Sequence, residues 1–307
     1  MTIYEIITGK ILDQLKAGVI PWLKPWTSEN TPRNLISKHE YTGINLLLLS
    51  NQYTSPYYIT LNQIKKAGGT IQESERKKYQ MVVYWGAIYK DKAGKTIPAK
   101  ELKGIDQKDL KRISFLRYTN VWNITQTEGL EKHIPKKEVN TKPVIRPLTK
   151  AIEIMRSFPY ILPIKQKKNA AYYSVTEDYI NLPGIQDFHS VEDMYSTLFH
   201  EFIHSTGHES RLKRFDKDTK CVFGNSDYSK EELIAEFGAS FLCGIAGIKI
   251  NIQNTASYID NWSKALSKDS KLLTTAVSKA TKATEYLLAN YDNENKPTPP
   301  VDDKPTK

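Results

Sequence analysis

The sequence predicts an α+β protein in two parts: a small N-terminal α+β module, then a mostly helical domain with a small sheet. Three observations lead there. Alternating, strand-like patterns fall at residues 81–89 and 115–124, whereas helical periodicity dominates beyond residue 148. A length of 307 residues suggests two domains. Between the two patterns, residues 131–147 are rich in Lys and Pro and poor in apolar side chains, as a linker is. The expected division is therefore 1–130, a linker at 131–147, and 148–291. Residues 292–307 are Pro, Asp, Lys and Thr without apolar periodicity, and are expected to be a disordered tail.

In the first part, Ile3, Ile6, Ile7, Ile11 and Leu15 mark one side of a helix over residues 2–17, ended by Gly18. Residues 21–26 (PWLKPW) hold too much proline to continue it. Short helices follow at 46–50 and 61–67, the second stopped by Gly68-Gly69. The stretch between the two strands, 90–111, is charged and contains glycine, so it reads as a long exposed connection. In the second part, a helix at 148–158 precedes paired strands at 171–175 and 179–181, with Glu177-Asp178 at their turn. Ser190 opens a helix that Gly207 is placed to end. A helix from 229, then a pair at 256–266 and 271–289, complete the chain.

No stretch approaches the ~18 apolar residues of a membrane span, and residues 1–10 carry no signal-peptide pattern. The two cysteines, Cys221 and Cys243, lie in no C-x-x-C pair. A cytoplasmic protein is expected.

The net charge of +10 is unevenly spread. Residues 1–140 hold 22 Lys and Arg against 13 Asp and Glu, and they include Trp22, Trp26, Trp85 and Trp122. Cations neutralise phosphates and aromatic rings stack on unpaired bases, so this half is read as nucleic-acid-binding. The plainer reading of each Trp alone is a core residue.

The chemistry concentrates in residues 199–204 (FHEFIH), an H-E-x-x-H pattern in an apolar helix. His200 and His204 are four apart and share a helix face, so both imidazoles reach one ion. Glu201 is turned about 100° away and sits beside that ion, as a general base does. A catalytic zinc needs a third protein ligand. The position that a three-His pattern would use is Ser210, not His. The next helix offers Glu232 and Glu236, four apart among Leu233, Ile234, Phe237, Phe241 and Leu242. Carboxylates on such an apolar helix are costly unless paired or ligating. Glu232 is assigned as the third ligand and Glu236 as the acceptor that orients a ligand His. The rival role for Glu232 is the reciprocal partner of Ser229 in a helix-capping box.

Residues 200–212 (HEFIHSTGHESRL) followed by 231–243 (EELIAEFGASFLC) resemble the zincin-like metallopeptidase domain of ArdC-type antirestriction proteins. The spacing Glu232-x-x-Ala235-Glu236-x-Gly238-Ala239 is similar to that of the wider H-E-x-x-H…Glu group, whose first Glu binds metal; this favours Glu232 as a ligand. Residues 4–26, 32–49, 63–69 and 118–130 resemble the N-terminal single-stranded-DNA-binding domain of the same family. One departure follows Gly69. There the family usually carries a Lys-Gly turn, and this chain has TIQESE, with Arg76, Lys77 and Lys78 just beyond.

The resemblance implies antirestriction, single-strand binding and an origin on a mobile genetic element. The expected partners are single-stranded DNA and a protein or peptide substrate. Candidate DNA contacts are Trp22, Lys24, Trp26, Arg33, Asn34, Tyr41, Asn45, Arg76, Lys77, Lys78 and Arg117. The expected cofactor is Zn²⁺, with Mn²⁺ or Co²⁺ also compatible with two His and a Glu. Glu201 is the expected catalytic base, and Tyr172, Tyr173 and Arg211 are unranked candidates to stabilise an oxyanion. The competing expectation is a DNA-binding protein that shields DNA from restriction enzymes and has a structural or vestigial metal site.

Overall fold

The computed structural model describes residues 2–23, 31–49, 53, 55–98, 101–102, 106, 108, 110–135, 147–215, 226–250 and 255–291. The architecture is α+β. The expected tail at 292–307 and most of the expected linker lie outside the described residues. Helix α1 (Ile3–Lys16) starts at Thr2, whose hydroxyl accepts from Glu5 N–H while the Glu5 carboxylate accepts from Thr2 N–H. Two backbone donors that a helix start leaves open are thereby satisfied. Its buried stripe is Ile7, Ile11 and Leu15.

The N-terminal half is organised by a five-stranded sheet in the order β1-β2-β6-β4-β5. The strands are β1 (Arg33–Asn34), β2 (Tyr57–Thr60), β4 (Gln80–Lys90), β5 (Thr96–Ile97) and β6 (Lys111–Asn123). Helices α2 (Ile44–Leu49) and α3 (Leu61–Lys66) pack beside it, and β3 (Thr70–Ile71) pairs with β7 (Thr127–Glu128). The segment after Gly69, where the family pattern has a Lys-Gly turn, is therefore β3 and a following 3₁₀ turn, Glu73–Glu75.

Strands β4 and β6 pair antiparallel along all 11 residues of β4, from Gln80↔Val121 to Lys90↔Lys111. The expected connection over 90–111 runs between Lys90, the end of β4, and Lys111, the start of β6; it holds the short β5, and β6 begins four residues before the expected 115. The outer end of the pair covers no core, so its side chains carry little buried-face alternation. Antiparallel hydrogen bonding, which needs no particular side chain, extends it.

The C-terminal half holds helices α4 (Pro147–Arg156), α5 (Val191–Ser205), α6 (Ser226–Ala246), α7 (Thr255–Lys268) and α8 (Leu272–Leu287). A small sheet, β8 (Ile164–Lys165), β9 (Tyr172–Ser174) and β10 (Tyr179–Asn181), runs in the order β8-β10-β9, with β9 at an edge. The expected hairpin is present as antiparallel β9 and β10, and Asp178 in its turn takes a left-handed φ of 49°.

One buried cluster runs through both halves. It includes Ile7, Ile11, Leu15, Trp22 and Leu47 from the first, and Phe199, Phe237, Trp262, Leu273 and Val277 from the second. The Trp22 ring meets Phe237 and Trp262 edge-on, with centroids 4.8 and 5.0 Å away. Ser240 Oγ donates to the Trp22 carbonyl, and Thr8 Oγ1 donates to Ser270 O at 2.9 Å. Among the described residues, no helix is long and apolar enough to cross a membrane.

Candidate metal centre

Helix α5 is the platform. Ser190 caps it by accepting from Asp193 N–H at 3.0 Å, and Leu198, Phe199, Phe202 and Ile203 bury its apolar side. Its end differs from expectation. The helix stops at Ser205 rather than on a left-handed Gly207. Arg214 Nη2 donates to Ile203 O at 2.8 Å and Arg211 Nε to Ser205 O at 2.6 Å, so two guanidinium groups add to the hydrogen bonds on carbonyls of the last turn. Gly207 is needed for space. A Cβ there would lie 2.7 Å from the Phe215 ring.

Helix α6 lies against α5. A Cβ on Gly238 would sit 2.5 Å from Ile203 Cδ1, so this glycine sets how closely the two helices approach. The approach brings His200, His204 and Glu232 together. The two Nε2 atoms are 3.1 Å apart, and Glu232 places Oε2 at 3.4 Å from His200 Nε2 and Oε1 at 3.4 Å from His204 Nε2. Helix α6 begins at Ser226, so Ser229 lies inside it and the rival capping role for Glu232 has no cap to serve.

A divalent cation fits this donor set. Ligand atoms about 2.0–2.2 Å from one ion stand roughly 3.1–3.5 Å from each other at near-tetrahedral angles; the Nε2–Nε2 distance and each imidazole's distance to its nearest Glu232 oxygen fall in that range, the two rings facing different oxygens of the carboxylate. The electrostatics agree. Burial disfavours a charged imidazole at both histidines, yet Glu232 raises the proton affinity of His200, and Glu231 with Glu232 raises that of His204 well above its ordinary value. Burial also pushes the Glu232 carboxyl up, but its bonds with His200 and His204 outweigh this and hold it well below the usual range. The site is built to bind positive charge.

The outer nitrogens face two more carboxylates. His200 Nδ1 is 3.8 Å from Glu236 Oε1, on the side where Glu236 is expected. Burial raises the Glu236 carboxyl above its ordinary value. His204 Nδ1 is 3.4 Å from Glu231 Oε1, a residue that sequence reasoning missed. Arg214 donates to Glu231 with Nη2 at 2.6 Å and Nε at 3.2 Å, and to Thr206 Oγ1 with Nη1 at 2.6 Å. Burial works against the Glu231 charge, but His204 and Arg214 keep its carboxyl below the usual range. The available signal was adjacency: Glu231 directly precedes Glu232. Glu201 is buried, and His208 turns away to pair with Ser210 Oγ at 2.8 Å.

The three oxyanion candidates are committed elsewhere. Arg211 donates to both Asp178 carboxylate oxygens and to Tyr173 Oη, and Tyr173 Oη donates to Asp178 at 2.5 Å. Tyr172 Oη shares a hydrogen bond with Tyr179 Oη at 3.0 Å.

The DNA candidates separate sharply. Trp22 is 0% exposed and belongs to the core, which corrects its assignment as a stacking surface. Asn34 is buried too; its Oδ1 accepts from the Ile36 and Ser37 amides, each at 3.0 Å, and Nδ2 donates to Gln63. Asn45 holds both the N–H and C=O of Val83 at 2.8 Å, so it fixes α2 to β4. Tyr41 packs edge-on against Tyr58 in a small core. These three are framework residues because turns and strand edges need their amides and rings. Arg33 pairs with Glu40 at 3.0 Å, Arg76 with Glu73 at 3.3 Å and Lys78 with Glu75 at 2.6 Å. Lys77 and Arg117 are exposed. Lys24 and Trp26 lie outside the described residues.

Residues 1–122 match the N-terminal domain of anti-restriction factor ArdC, and 159–279 match a zincin-like metallopeptidase domain. A DNA primase TraC of Escherichia coli is 31% identical over 297 residues, which is 93% of this chain and 20% of that protein. The chain thus spans about a fifth of the primase's length. Two crystal structures of the antirestriction ArdC protein from plasmid R388 superimpose with a TM-score of 0.71 at 30% identity. The metal-free one matches 94% of this chain and 98% of its own, and the Mn(II)-bound one 96% and 100%. Two matched domains in one order, and likeness along nearly the whole of both chains, lead to one statement of kinship: this chain belongs to the ArdC family of antirestriction proteins.

Proposed function

We propose that the chain is a cytoplasmic antirestriction protein that binds single-stranded DNA through its basic N-terminal half, residues 1–130, and hydrolyses peptide bonds at a divalent-metal site in residues 148–291. The observation that carries the enzymatic part is the convergence of two imidazoles and one carboxylate at mutual distances of 3.1–3.4 Å, beside a buried Glu201. His200, His204 and Glu232 would hold the cation, with Zn²⁺ or Mn²⁺ as the preferred occupants. When bound, the ion supplies the Lewis acidity that makes water nucleophilic at neutral pH and polarises a carbonyl.

The chain's own residues do the rest. Glu236 and Glu231 turn the imidazoles so that both Nε2 atoms face inward. Glu201 takes the proton of the attacking water and returns it to the departing amine. A site that only tied helices together would have no use for a buried acid at that position, which favours catalysis over a purely structural metal.

Glu201→Gln tests this on the purified protein. Bound metal stays near one per chain, while cleavage of unfolded casein and of a mixed peptide library falls about 100-fold or more. Cleavage at an unaltered rate would overturn the mechanism. If the variant still shields DNA from a restriction endonuclease, protection belongs to DNA binding alone.

A further inference from the structure

The outer end of the β4–β6 ribbon reaches beyond the core, and its side chains are unlike those of an ordinary solvated hairpin. Strands of 11 and 13 residues carry Lys90, Lys111, Arg112 and Arg117 and contain no Asp or Glu. They also expose aromatic rings: Tyr84 is 48% exposed, Trp85 57% and Tyr118 48%. Exposed rings and cations on strands that carry no carboxylate suit a polyanion with flat, unpaired groups, which is a single nucleic-acid strand.

Register divides the ribbon into two faces, because directly paired residues share one. Tyr84↔Arg117, Gly86↔Phe115 and Lys90↔Lys111 lie on one face, and Val83↔Tyr118, Trp85↔Leu116 and Tyr89↔Arg112 lie on the other. Three of the four cations are therefore on the Tyr84 face. That face is also built. The Arg117 guanidinium lies over the Phe115 ring, 4.6 Å from its centroid. Phe115 in turn closes over its partner Gly86, where a Cβ would stand 2.5 Å from the ring, so only glycine leaves that place for it. Phe115 thus holds the planar group of Arg117 from one side, and Arg117 stands across the strands from the exposed Tyr84 ring. Each presents a flat surface to a base, and Arg117 adds charge for the adjoining phosphate.

We propose that this face, with Tyr84 and Arg117 as adjacent platforms and Phe115 as the support, is where the protein grips an unpaired DNA strand. The assignment rests on the single-strand-binding reading above.

Fluorescence anisotropy on the full chain, with labelled 20-nucleotide oligothymidine and a 20-base-pair duplex over a salt series, tests it. Wild type binds the single strand more tightly than the duplex. Tyr84→Ala weakens single-strand binding about tenfold or more, and Tyr84→Phe restores it because the ring remains. Arg117→Ala weakens binding and lowers the slope of log affinity against log salt by about 0.7. Trp85→Ala, on the opposite face, stays within twofold of wild type. Thermal melts show that each variant is folded. Wild type binding no single strand at any salt, or preferring the duplex, overturns the single-strand reading itself. Wild type binding well while Tyr84→Ala and Arg117→Ala bind equally well overturns this face alone, as does loss of binding in Trp85→Ala instead.

Discussion

Glu231 is the residue that distinguishes the two histidines of the cluster. His200 faces Glu236, whose carboxyl burial pushes up, whereas His204 faces a carboxylate that Arg214 keeps ionised. An anionic acceptor at Nδ1 makes the opposite nitrogen a better donor to metal. Glu231→Gln is accordingly expected to weaken metal affinity about 10- to 100-fold, measured by chelator competition on apo protein. Unchanged affinity would reduce Glu231 to a partner of Arg214. Glu231→Ala should be worse, because it leaves the buried Arg214 charge without its carboxylate partner, at a cost of about 3–5 kcal/mol in stability.

At this scale the sequence was legible where spacing carries the message. Two His four apart and two Glu four apart identify the cluster by spacing alone. Arg214 was not legible, because its role depends on a loop folding back onto the end of α5, and no spacing records that. Trp22 and Asn34 were misread for the converse reason. A Trp or Asn in a basic stretch looks the same whether it meets a base or serves the framework; packing against Phe237 and Trp262 decides for Trp22, and hydrogen bonds with Ile36, Ser37 and Gln63 decide for Asn34.

At the scale of elements, the β9–β10 hairpin is tied to the end of α5 by one clamp. Arg211 joins Ser205 O, Asp178 and Tyr173 Oη, and lies over the Tyr160 ring at 4.5 Å. Burial pushes the Asp178 carboxyl up, but bonds from Arg211 and Tyr173 overcome this and hold it below its ordinary value. A carboxyl whose folded value is depressed stabilises the fold above its unfolded value, about 3.9, and the contribution disappears as pH falls through the folded value. The clamp is therefore intact at neutral pH and releases only in acid. Amide hydrogen exchange at Tyr172, Tyr173 and Ser174, taken relative to the intrinsic rate at each pH, is expected to stay slow near neutrality and to quicken below about pH 4. Arg211→Lys, which cannot contact both carboxylate oxygens and the Ser205 carbonyl at once, should quicken it at pH 7 as well. If exchange there is the same in Arg211→Lys as in wild type, the clamp does not hold the strand. The hairpin itself was readable from the sequence, as was β4 to within a residue at each end, whereas the first four residues of β6 were not, since hydrogen bonds rather than buried side chains sustain that outer end.

At the scale of the whole molecule, the two matched domains share a core. Helix α1 and Trp22 belong by sequence to the N-terminal half and by packing to the helices that carry the His-His-Glu cluster. A fragment ending near residue 140 would leave Ile7, Ile11, Leu15 and Trp22 without part of their cover, so point substitutions separate the functions better than truncation does. The coupling has a thermodynamic consequence. A metal that binds only the folded state stabilises it by about 2.7 kcal/mol at a hundred times its dissociation constant. If the halves unfold as one unit, calorimetry of the full chain shows a single transition that moves upward as a whole when Zn²⁺ or Mn²⁺ replaces chelator. If they unfold separately, only the C-terminal transition moves. Trp22→Ala removes a ring from the shared core and is expected to cost about 3–5 kcal/mol. Where the packing is what joins the halves, this substitution also splits the transition, and metal then protects one part alone. Two independent transitions in wild type, with the first indifferent to metal, would mean that the shared core is too weak to make the halves fold together.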